Sequence, residues 1–323
     1  MRSAGLSTGR QAPKTERLAG FQGMLNIRGI EIEETFAEAF PLACARVILT
    51  AEHPRLVQSA AAAATGNASS VIGCDAEAGV DRLLQPDETP DGRPGASLLF
   101  FGFSRPALEQ SLVSRIGQGI LPCPTTAAYN GLPVDPEKCL QVGSRIRFFG
   151  DGWQSSKLLE KRRFWRIPVM DGEFVVEEAF GAGKGVAGGN LILQGTSREI
   201  TLQAAEKAAE AMASVPGVIL PFAHGIVRAG SKVGSRYPKL KASTNQSFCP
   251  SLRGQVVSEL HPRAAVAYEL VVDGLDLESV RQSMRFGMDA AAIPGIVRIG
   301  AGNYGGKLGP FLIHLKELVG EGP

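Results

Sequence analysis

Two related stretches decide the fold: LILQGTSREITLQAAEKAAEAMASVPGVIL at residues 191–220 and LVVDGLDLESVRQSMRFGMDAAAIPGIVRIG at residues 270–300. In each, a short apolar run and a glycine precede a segment with helical spacing, and Pro-Gly precedes a second apolar run. Each copy therefore predicts strand–helix–strand. A glycine–lysine loop follows both copies, which puts Lys232 and Lys307 in equivalent positions. The repeat indicates a duplicated α/β unit.

The N-terminal half contains similar elements. Helices are predicted from His53-Pro54 to about Gly66 and over residues 106–116, and an alternating edge strand over residues 25–32. Further strands are predicted over residues 45–50, 70–73 and 97–103. Units that pack their helices on one sheet face predict an α+β fold, with two lobes of duplicated ferredoxin-like α/β sandwich units.

The chain divides into three parts. We assign residues 1–23 to a disordered tail or a misplaced start, because they are polar, Gly/Ser-rich and without an apolar period. An N-terminal lobe is predicted over residues 24–150. A C-terminal lobe that contains the βαβ repeat follows over residues 151–323.

The composition excludes several classes of protein. Of 323 residues, 44% are hydrophobic and 20% charged, which is enough for two lobes that each have a core. A net charge of +2, without a basic stripe interleaved with aromatics, argues against nucleic-acid binding. No apolar run reaches the roughly 18 residues that span a bilayer, so we expect no membrane partner. The basic run at residues 157–166 is interpreted as a solvated turn beside a strand.

The cysteines and histidines show no metal-ligand spacing. The chain has five cysteines and four histidines, and no two cysteines form a CxxC motif. We therefore predict no metal site, and free thiols in a reducing cytoplasm.

Polar glycine loops separate the apolar segments at residues 88–95, 148–152, 185–190, 230–234 and 302–309. Glycine costs backbone entropy in a regular element, so such clusters indicate positive φ or close backbone approach. The loops predict a cleft lined by backbone and short polar side chains, which suits an elongated polar ligand. The run GAGKG at residues 181–185 lacks the spacing of a phosphate loop, and no Ser or Thr follows its lysine.

A series of short motifs resembles a known family. In order along the chain they are ETFAEAF (residues 34–40), ETPDGRPG (88–95), FFGDG (148–152), GVAGGN (185–190), GSKVG (230–234), ASTN (242–245), YE (268–269) and AGNYGGKLG (301–309). Together, over residues 24–318, they resemble the formylmethanofuran:tetrahydromethanopterin formyltransferases.

The resemblance implies an enzyme that transfers a formyl group between N5 of tetrahydromethanopterin and the amine of a methanofuran-type coenzyme. Both coenzymes are then substrates, and no cofactor is tightly bound. It also implies two α/β lobes, a cytoplasmic homo-oligomer that we expect to be a tetramer, and hydrolase-complex subunits as candidate partners. We expect a bacterial version that serves one-carbon metabolism and formaldehyde oxidation in methylotrophy, acting toward the furan coenzyme. His224 stands where the family usually has a Pro-Gly-Gly run, which leaves the local substrate contacts open.

Glu269 is the most informative titratable residue. It lies in the otherwise apolar segment VAYELVV at residues 266–272 and shares a strand face with Ala267 and Val271. Such a carboxyl is either at an exposed edge or buried, and burial would raise its pKa and let it donate a hydrogen bond. The resemblance implies that Glu269 is the catalytic residue, facing the formyl group and stabilising the oxyanion of the intermediate.

The substrate-binding predictions come from the glycine loops. Lys232 and Lys307 are either solvated loop residues or anchors for anionic coenzyme tails. Phe148 and Phe149 alternate on a predicted strand, so that one joins the core while the other, or Trp153, is available to stack on a pterin. Asp91 and Arg93 either lock a turn or contact ligand. The predicted substrate-binding residues are Phe149, Gly150, Asp151, Gly152, Gly188, Asn190, Lys232, Asn245, Asn303 and Lys307.

The predicted mechanism is direct attack of the amine on the formyl carbon through a tetrahedral intermediate. It needs no nucleophilic Ser or Cys, which agrees with a sequence that shows no such constellation. Two alternatives stay open: a non-catalytic scaffold subunit of a formyltransferase/hydrolase complex, and another pterin- or nucleotide-binding enzyme. The intact Glu269 and FFGDG favour the enzyme over the scaffold.

Overall fold

The computed structural model describes residues 25–319, so the predicted tail at residues 1–23 lies outside the described residues. The strands are β1 Asn26–Ile27, β2 Ile30–Ile32, β3 Phe36–Thr50, β4 Glu77–Leu84, β5 Gly95–Gly102, β6 Ala127–Asn130, β7 Ser155–Leu159, β8 Arg162–Val169, β9 Gly172–Glu177, β10 Gly183–Gly195, β11 Val218–Ile219, β12 Ile226–Val227, β13 Val266–Gly274, β14 Ile296–Gly300 and β15 Phe311–His314. The α-helices are α1 Pro54–Thr65, α2 Arg105–Arg115, α3 Val142–Ile146, α4 Arg198–Ala213, α5 Leu277–Ala291 and α6 Leu315–Leu318.

The strands form one mixed sheet. In the N-terminal unit the spatial order is β6-β3-β5-β4, and in the C-terminal unit it is β14-β10-β13-β11, with antiparallel neighbours in both. Each unit contains the elements strand, helix, strand, strand, helix and strand along the chain. If its four strands are numbered 1 to 4 in chain order, their order across the sheet is 4-1-3-2 in both units. Strands β3 and β10 pair across the join, while β7, β8 and β9 extend the sheet beyond β6.

Both predicted strand–helix–strand segments contain these elements in the expected order. Strand β10, helix α4 and strand β11 form the first copy, and β13, α5 and β14 form the second. Both helices begin at a side-chain cap that satisfies a free backbone N–H: Ser197 accepts from Ile200 N, and Asp276 accepts from Ser279 N. Helix α1 begins at Pro54, where a missing N–H costs nothing.

Some predicted elements are wrong. Residues 70–73 form a turn, because Cys74 N donates to Ser70 O at 2.7 Å, and the strand comes later as β4. The buried carboxylates Glu77 and Asp81 interrupt the apolar pattern of β4 and conceal it from sequence reading. Strand β3 begins at Phe36, well before the predicted residue 45. Residues 157–166 belong to the β7–β8 hairpin.

Phe148 and Phe149 lie on a 3₁₀ turn, not on a strand, and their side chains are 66% and 64% exposed. The prediction that one of them joins the core is therefore wrong. Left-handed φ angles at Asp151 (52°) and Gly152 (90°) end the turn and exclude an extended backbone there.

Helices and sheet bury two main cores. In the C-terminal unit, Leu191 and Leu193 of β10 and Leu270 and Val272 of β13 pack against α4 and α5. Burying a side chain of this size stabilises the fold by about 1.5–3 kcal/mol. Since side chains alternate along a strand, the residues between them point to the opposite face, which is where the cleft lies. The N-terminal core is built from Val47, Leu49, Leu98, Phe100, Leu108, Leu112, Phe174 and Phe180.

No helix within residues 25–319 is long and apolar enough to cross a membrane. All five cysteines are free, as predicted.

Candidate active site

A cleft of about 810 Å³ opens on the sheet face opposite α4 and α5. Its floor is formed by β10 and β13 together with the start of β3 and of β4, and its walls come from the loops after β2, α1, β11, β12 and β14. Six of the predicted site residues line it: Gly188, Asn190, Lys232, Asn245, Glu269 and Asn303. The fold thus gathers residues from distant glycine loops at one place.

Glu269 lies in the cleft with only 5% of its surface exposed. Ser231 N donates to Oε2 at 2.7 Å, and Ser231 Oγ lies 2.6 Å from Oε1. Burial raises the pKa of Glu269 above its usual value, while the two contacts with Ser231 act in the opposite direction. Of the two interpretations of this residue, burial is correct and the exposed edge is wrong.

Gly302 leaves the space beside Glu269 open. A Cβ on Gly302 would lie 3.9 Å from Glu269 Oε1. Asn190 fixes this glycine, because Asn190 Oδ1 accepts from Gly302 N at 2.6 Å and Nδ2 donates to Gly302 O at 3.0 Å. The Asn190 amide is therefore engaged with backbone, and its contact with substrate stays a prediction.

Asn303 and Asn245 also hold the walls of the cleft. Asn303 Nδ2 donates to Thr35 Oγ1 at 3.0 Å and Phe36 O at 3.2 Å, which ties the loop after β14 to the start of β3. Asn245 packs on Gly230, where an added Cβ would lie 2.5 Å from the Asn245 Cβ. Both residues shape the site, and their contact with substrate stays a prediction.

Lys232 and Arg236 give the cleft a positive wall. Lys232 Nζ donates to Gln246 Oε1 at 2.6 Å. No carboxylate among residues 25–319 lies within 4.0 Å of either cation, although thirteen ion pairs form elsewhere in that range. These charges are available to an anionic ligand.

Two buried carboxyls meet where the two units join. Asp273 of β13 lies beside Glu77 of β4, which also lines the cleft, and the Asp273 Oδ2 atom is buried without a hydrogen-bond partner among the described residues. Asp273 Oδ1 accepts from Gly188 N at 3.1 Å, and Glu77 Oε1 accepts from Val71 N at 3.0 Å. Burial, followed by the Glu77 charge, raises the pKa of Asp273 well above its usual value. Two neighbouring buried carboxyls disfavour double ionisation, so the raised pKa favours the protonated form of Asp273.

Several predicted residues lie elsewhere. Phe149, Gly150, Asp151 and Gly152 form a turn between α3 and β7 that is exposed except at the buried Gly150 and lies outside the cleft lining. Lys307 shares a loop with Asn303, but its side chain is exposed and does not line the cleft.

Other residues left open by the sequence are also placed. Asp91 accepts from Thr50 Oγ1 at 2.7 Å, and Arg93 donates to Asp91 and to Thr125 O, so this pair locks a turn. His224 is exposed outside the cleft lining and adopts a left-handed φ of 54°. No group of His, Cys, Asp and Glu in the described part of the chain has the arrangement of a metal site.

Glu38 is a further buried acid of the cleft that sequence reasoning missed, besides Glu77. Glu38 of β3 is 2% exposed and lines the cleft. It accepts from the backbone N–H groups of Tyr304, Gly306, Leu308 and Gly309. The signal was present, since Glu38 interrupts the apolar run FAEAF as Glu269 interrupts VAYELVV.

Sequence comparison finds known proteins that are similar to this chain. The sequence profile for formylmethanofuran-tetrahydromethanopterin formyltransferase matches residues 25–169, and the profile for the proximal lobe of that family matches residues 172–318. An enzyme of this name from Methylococcus capsulatus is 50% identical over 297 residues, covering 91% of this chain and 99% of the relative. One component of the formyltransferase/hydrolase complex of Methylorubrum extorquens is 48% identical over 303 residues, covering 91% of this chain and 97% of the relative.

Two solved structures agree with the fold. The Methanosarcina barkeri formyltransferase has a TM-score of 0.85 and 47% identity, covering 91% of this chain and all of that one. A chain of the Methylorubrum extorquens formyltransferase/hydrolase complex, solved with methylofuran, has a TM-score of 0.88 and 46% identity, covering 93% and 100%. The mixed α/β architecture predicted from the sequence is thus confirmed.

Proposed function

The chain belongs to the family of formylmethanofuran–tetrahydromethanopterin formyltransferases, and we propose that its cleft moves the formyl group directly between the two coenzymes with Glu269 as the stabilising acid. The observation that carries the proposal is the buried Glu269 carboxyl, held by Ser231 and faced by the open side of Gly302. The chain is a formyltransferase that acts on tetrahydromethanopterin and methanofuran coenzymes.

The chemistry needs only an acid and close placement of the two reactants. The amine lone pair attacks the formyl carbon, and the carbonyl electrons move to oxygen. The protonated Glu269 donates to this oxyanion. As the intermediate collapses, the bond to pterin N5 breaks, and N5 takes up a proton equivalent to the one that the amine releases. One oxyanion donor lowers the barrier by about 2.7–4 kcal/mol, and positioning of the two reactants contributes about 7–11 kcal/mol in the best cases.

The charges of the cleft suit anionic coenzyme tails. Lys232 and Arg236 line it without a carboxylate partner among the described residues. We assign them to a carboxylate or phosphate of a bound coenzyme. Lys307, outside the lining, is assigned to the distal part of a tail that extends beyond the cleft.

Assembly is part of the proposal. A relative of this chain belongs to a formyltransferase/hydrolase complex. We propose that this chain also joins hydrolase subunits in the cytoplasm and forms a homo-oligomer, with a tetramer as the expected size. The exposed aromatic side chains of Phe148, Phe149 and Trp153 support a contact surface at the FFGDG turn.

The finer fold prediction is also a proposal. The common strand order of the two units supports duplicated ferredoxin-like sandwiches. The lobe boundary at residue 150 stays a prediction.

Incubation of the purified protein with formyl-tetrahydromethanopterin, with and without the furan amine, tests the function. We expect a formylated furan coenzyme that appears only when both are present. Product formation by wild type that survives unchanged in Glu269→Ala would overturn the acid assignment. A pure protein that yields no product from both coenzymes would favour the scaffold alternative.

A further inference from the structure

Glu38 is a buried acid whose chemistry the reaction above does not use. Its neighbours Ala37 and Ala39 are fully buried in the core, so alternation along β3 turns Glu38 to the cleft face. There its carboxylate accepts from Tyr304 N at 2.8 Å, Gly309 N at 2.9 Å and Gly306 N at 3.1 Å, and also from Leu308 N. The Glu38 side chain therefore holds the glycine loop after β14 in place through four backbone N–H groups.

This loop reaches the catalytic acid through one side chain. Tyr304 OH accepts from Val233 N at 2.6 Å and lies 3.3 Å from Ser231 O. Ser231 in turn contacts both carboxyl oxygens of Glu269. The chain of contacts from Glu38 to Glu269 is continuous, and it joins strands β3 and β13 through two loops.

We propose that Glu38 is a positioning residue, which holds Tyr304 and through it the Ser231 loop so that Glu269 is aimed at the formyl carbon. The inference rests on the role proposed above for Glu269. Without the Tyr304 hydroxyl, the Ser231 loop loses its tie to the loop after β14. Glu269 then keeps its burial but loses the fixed orientation of its hydrogen-bond partner.

Glu38 and Glu269 are both buried, but their pKa values shift in opposite directions, as a positioning residue and a catalytic acid require. Burial alone would raise the pKa of Glu38, but its four backbone donors hold that pKa below the usual value. Glu38 is therefore an anion that organises N–H groups. Burial raises the pKa of Glu269, which has only Ser231 as a donor, and this favours its protonated form.

The test uses Tyr304→Phe, which removes only the hydroxyl, and Glu38→Gln, which removes the charge. We expect each to lower kcat on the order of 10- to 100-fold, as expected when a remote change misplaces a reacting group. The matched control is Glu177→Gln. Glu177 is equally buried and accepts from Asn130 N and Arg162, but it lies outside the cleft lining. This control is expected to lower the melting temperature and leave kcat unchanged.

Repeating Tyr304→Phe in a Glu269→Gln background separates positioning from general damage. If the tyrosine acts through Glu269, its effect on kcat largely disappears there, because coupled residues are not additive. A Tyr304→Phe enzyme with wild-type kcat, or an undiminished effect in that background, overturns the inference. This holds even if Glu38→Gln does not fold. Wild-type kcat in Glu269→Gln and Glu269→Ala alone would instead overturn the proposed role of Glu269.

Discussion

The sharpest test of the acid assignment compares Glu269→Gln with Glu269→Ala. Glutamine keeps the shape of the side chain and retains an N–H donor. In wild type, Ser231 N lies 2.7 Å from Glu269 Oε2. In the glutamine variant, the amide oxygen takes the place of Oε2 and accepts from Ser231 N. Its amide nitrogen takes the place of Oε1, with one hydrogen for Ser231 Oγ and one for the oxyanion. Alanine removes every one of these contacts.

The contacts of Glu269 determine the expected losses in kcat and in stability. Loss of one oxyanion donor costs about 10²–10³ in kcat, or about 2.7–4 kcal/mol, and this is our expectation for Glu269→Ala. Alanine also leaves the part-buried Ser231 N without its acceptor, at a cost of about 1–3 kcal/mol in the free energy of unfolding. Glutamine retains a donor, so we expect roughly a tenfold loss in kcat, about 1.4 kcal/mol.

Single-turnover rates with both coenzymes at saturation report the chemical step, and thermal unfolding of each variant controls for the fold. Equal rates for the two variants, both near wild type, would refute the oxyanion role. Equal losses in both would show that the charge of the carboxylate, and not its donor capacity, is used. Only the order wild type, glutamine, alanine agrees with a protonated acid.

Three further expectations follow from the site. Because the pKa of Glu269 is raised and the acid form is the active one, kcat should fall as pH rises through that pKa, and a pH–rate profile of Glu269→Gln should lack this fall. Lys232→Met should raise the KM of one coenzyme with kcat little changed, and Lys307→Met should do so less; unchanged KM values for both coenzymes in both variants would return these lysines to solvated loops. Asp273 has a raised pKa, so its stabilisation is fully present below the unfolded value and is lost as pH rises. The melting temperature of wild type should therefore fall relative to that of Asp273→Asn as pH rises, whereas a difference that is constant with pH would contradict the raised pKa of Asp273.

The sequence determined the local elements of this protein. The repeat of apolar run, glycine, helix and Pro-Gly predicted both strand–helix–strand copies, because the period of buried side chains is a property of each segment alone. A carboxyl inside an apolar strand marked Glu269 for the same reason. The pattern failed where buried carboxylates replaced apolar residues, as in β4. It also failed at the FFGDG turn, where left-handed backbone replaced a strand.

Only the tertiary structure decided which loops meet. Tyr304 and Glu38 are 266 residues apart in sequence, yet their hydrogen bond shapes the cleft. Such a contact depends on the register of strands across the sheet and on turn geometry, neither of which a local period encodes. Lys232 and Lys307 occupy equivalent positions in the repeat, but only Lys232 lines the cleft, for the same reason. The state of each buried acid was likewise decided by the number of N–H groups that the fold brings to it: four for Glu38 and one backbone donor for Glu269.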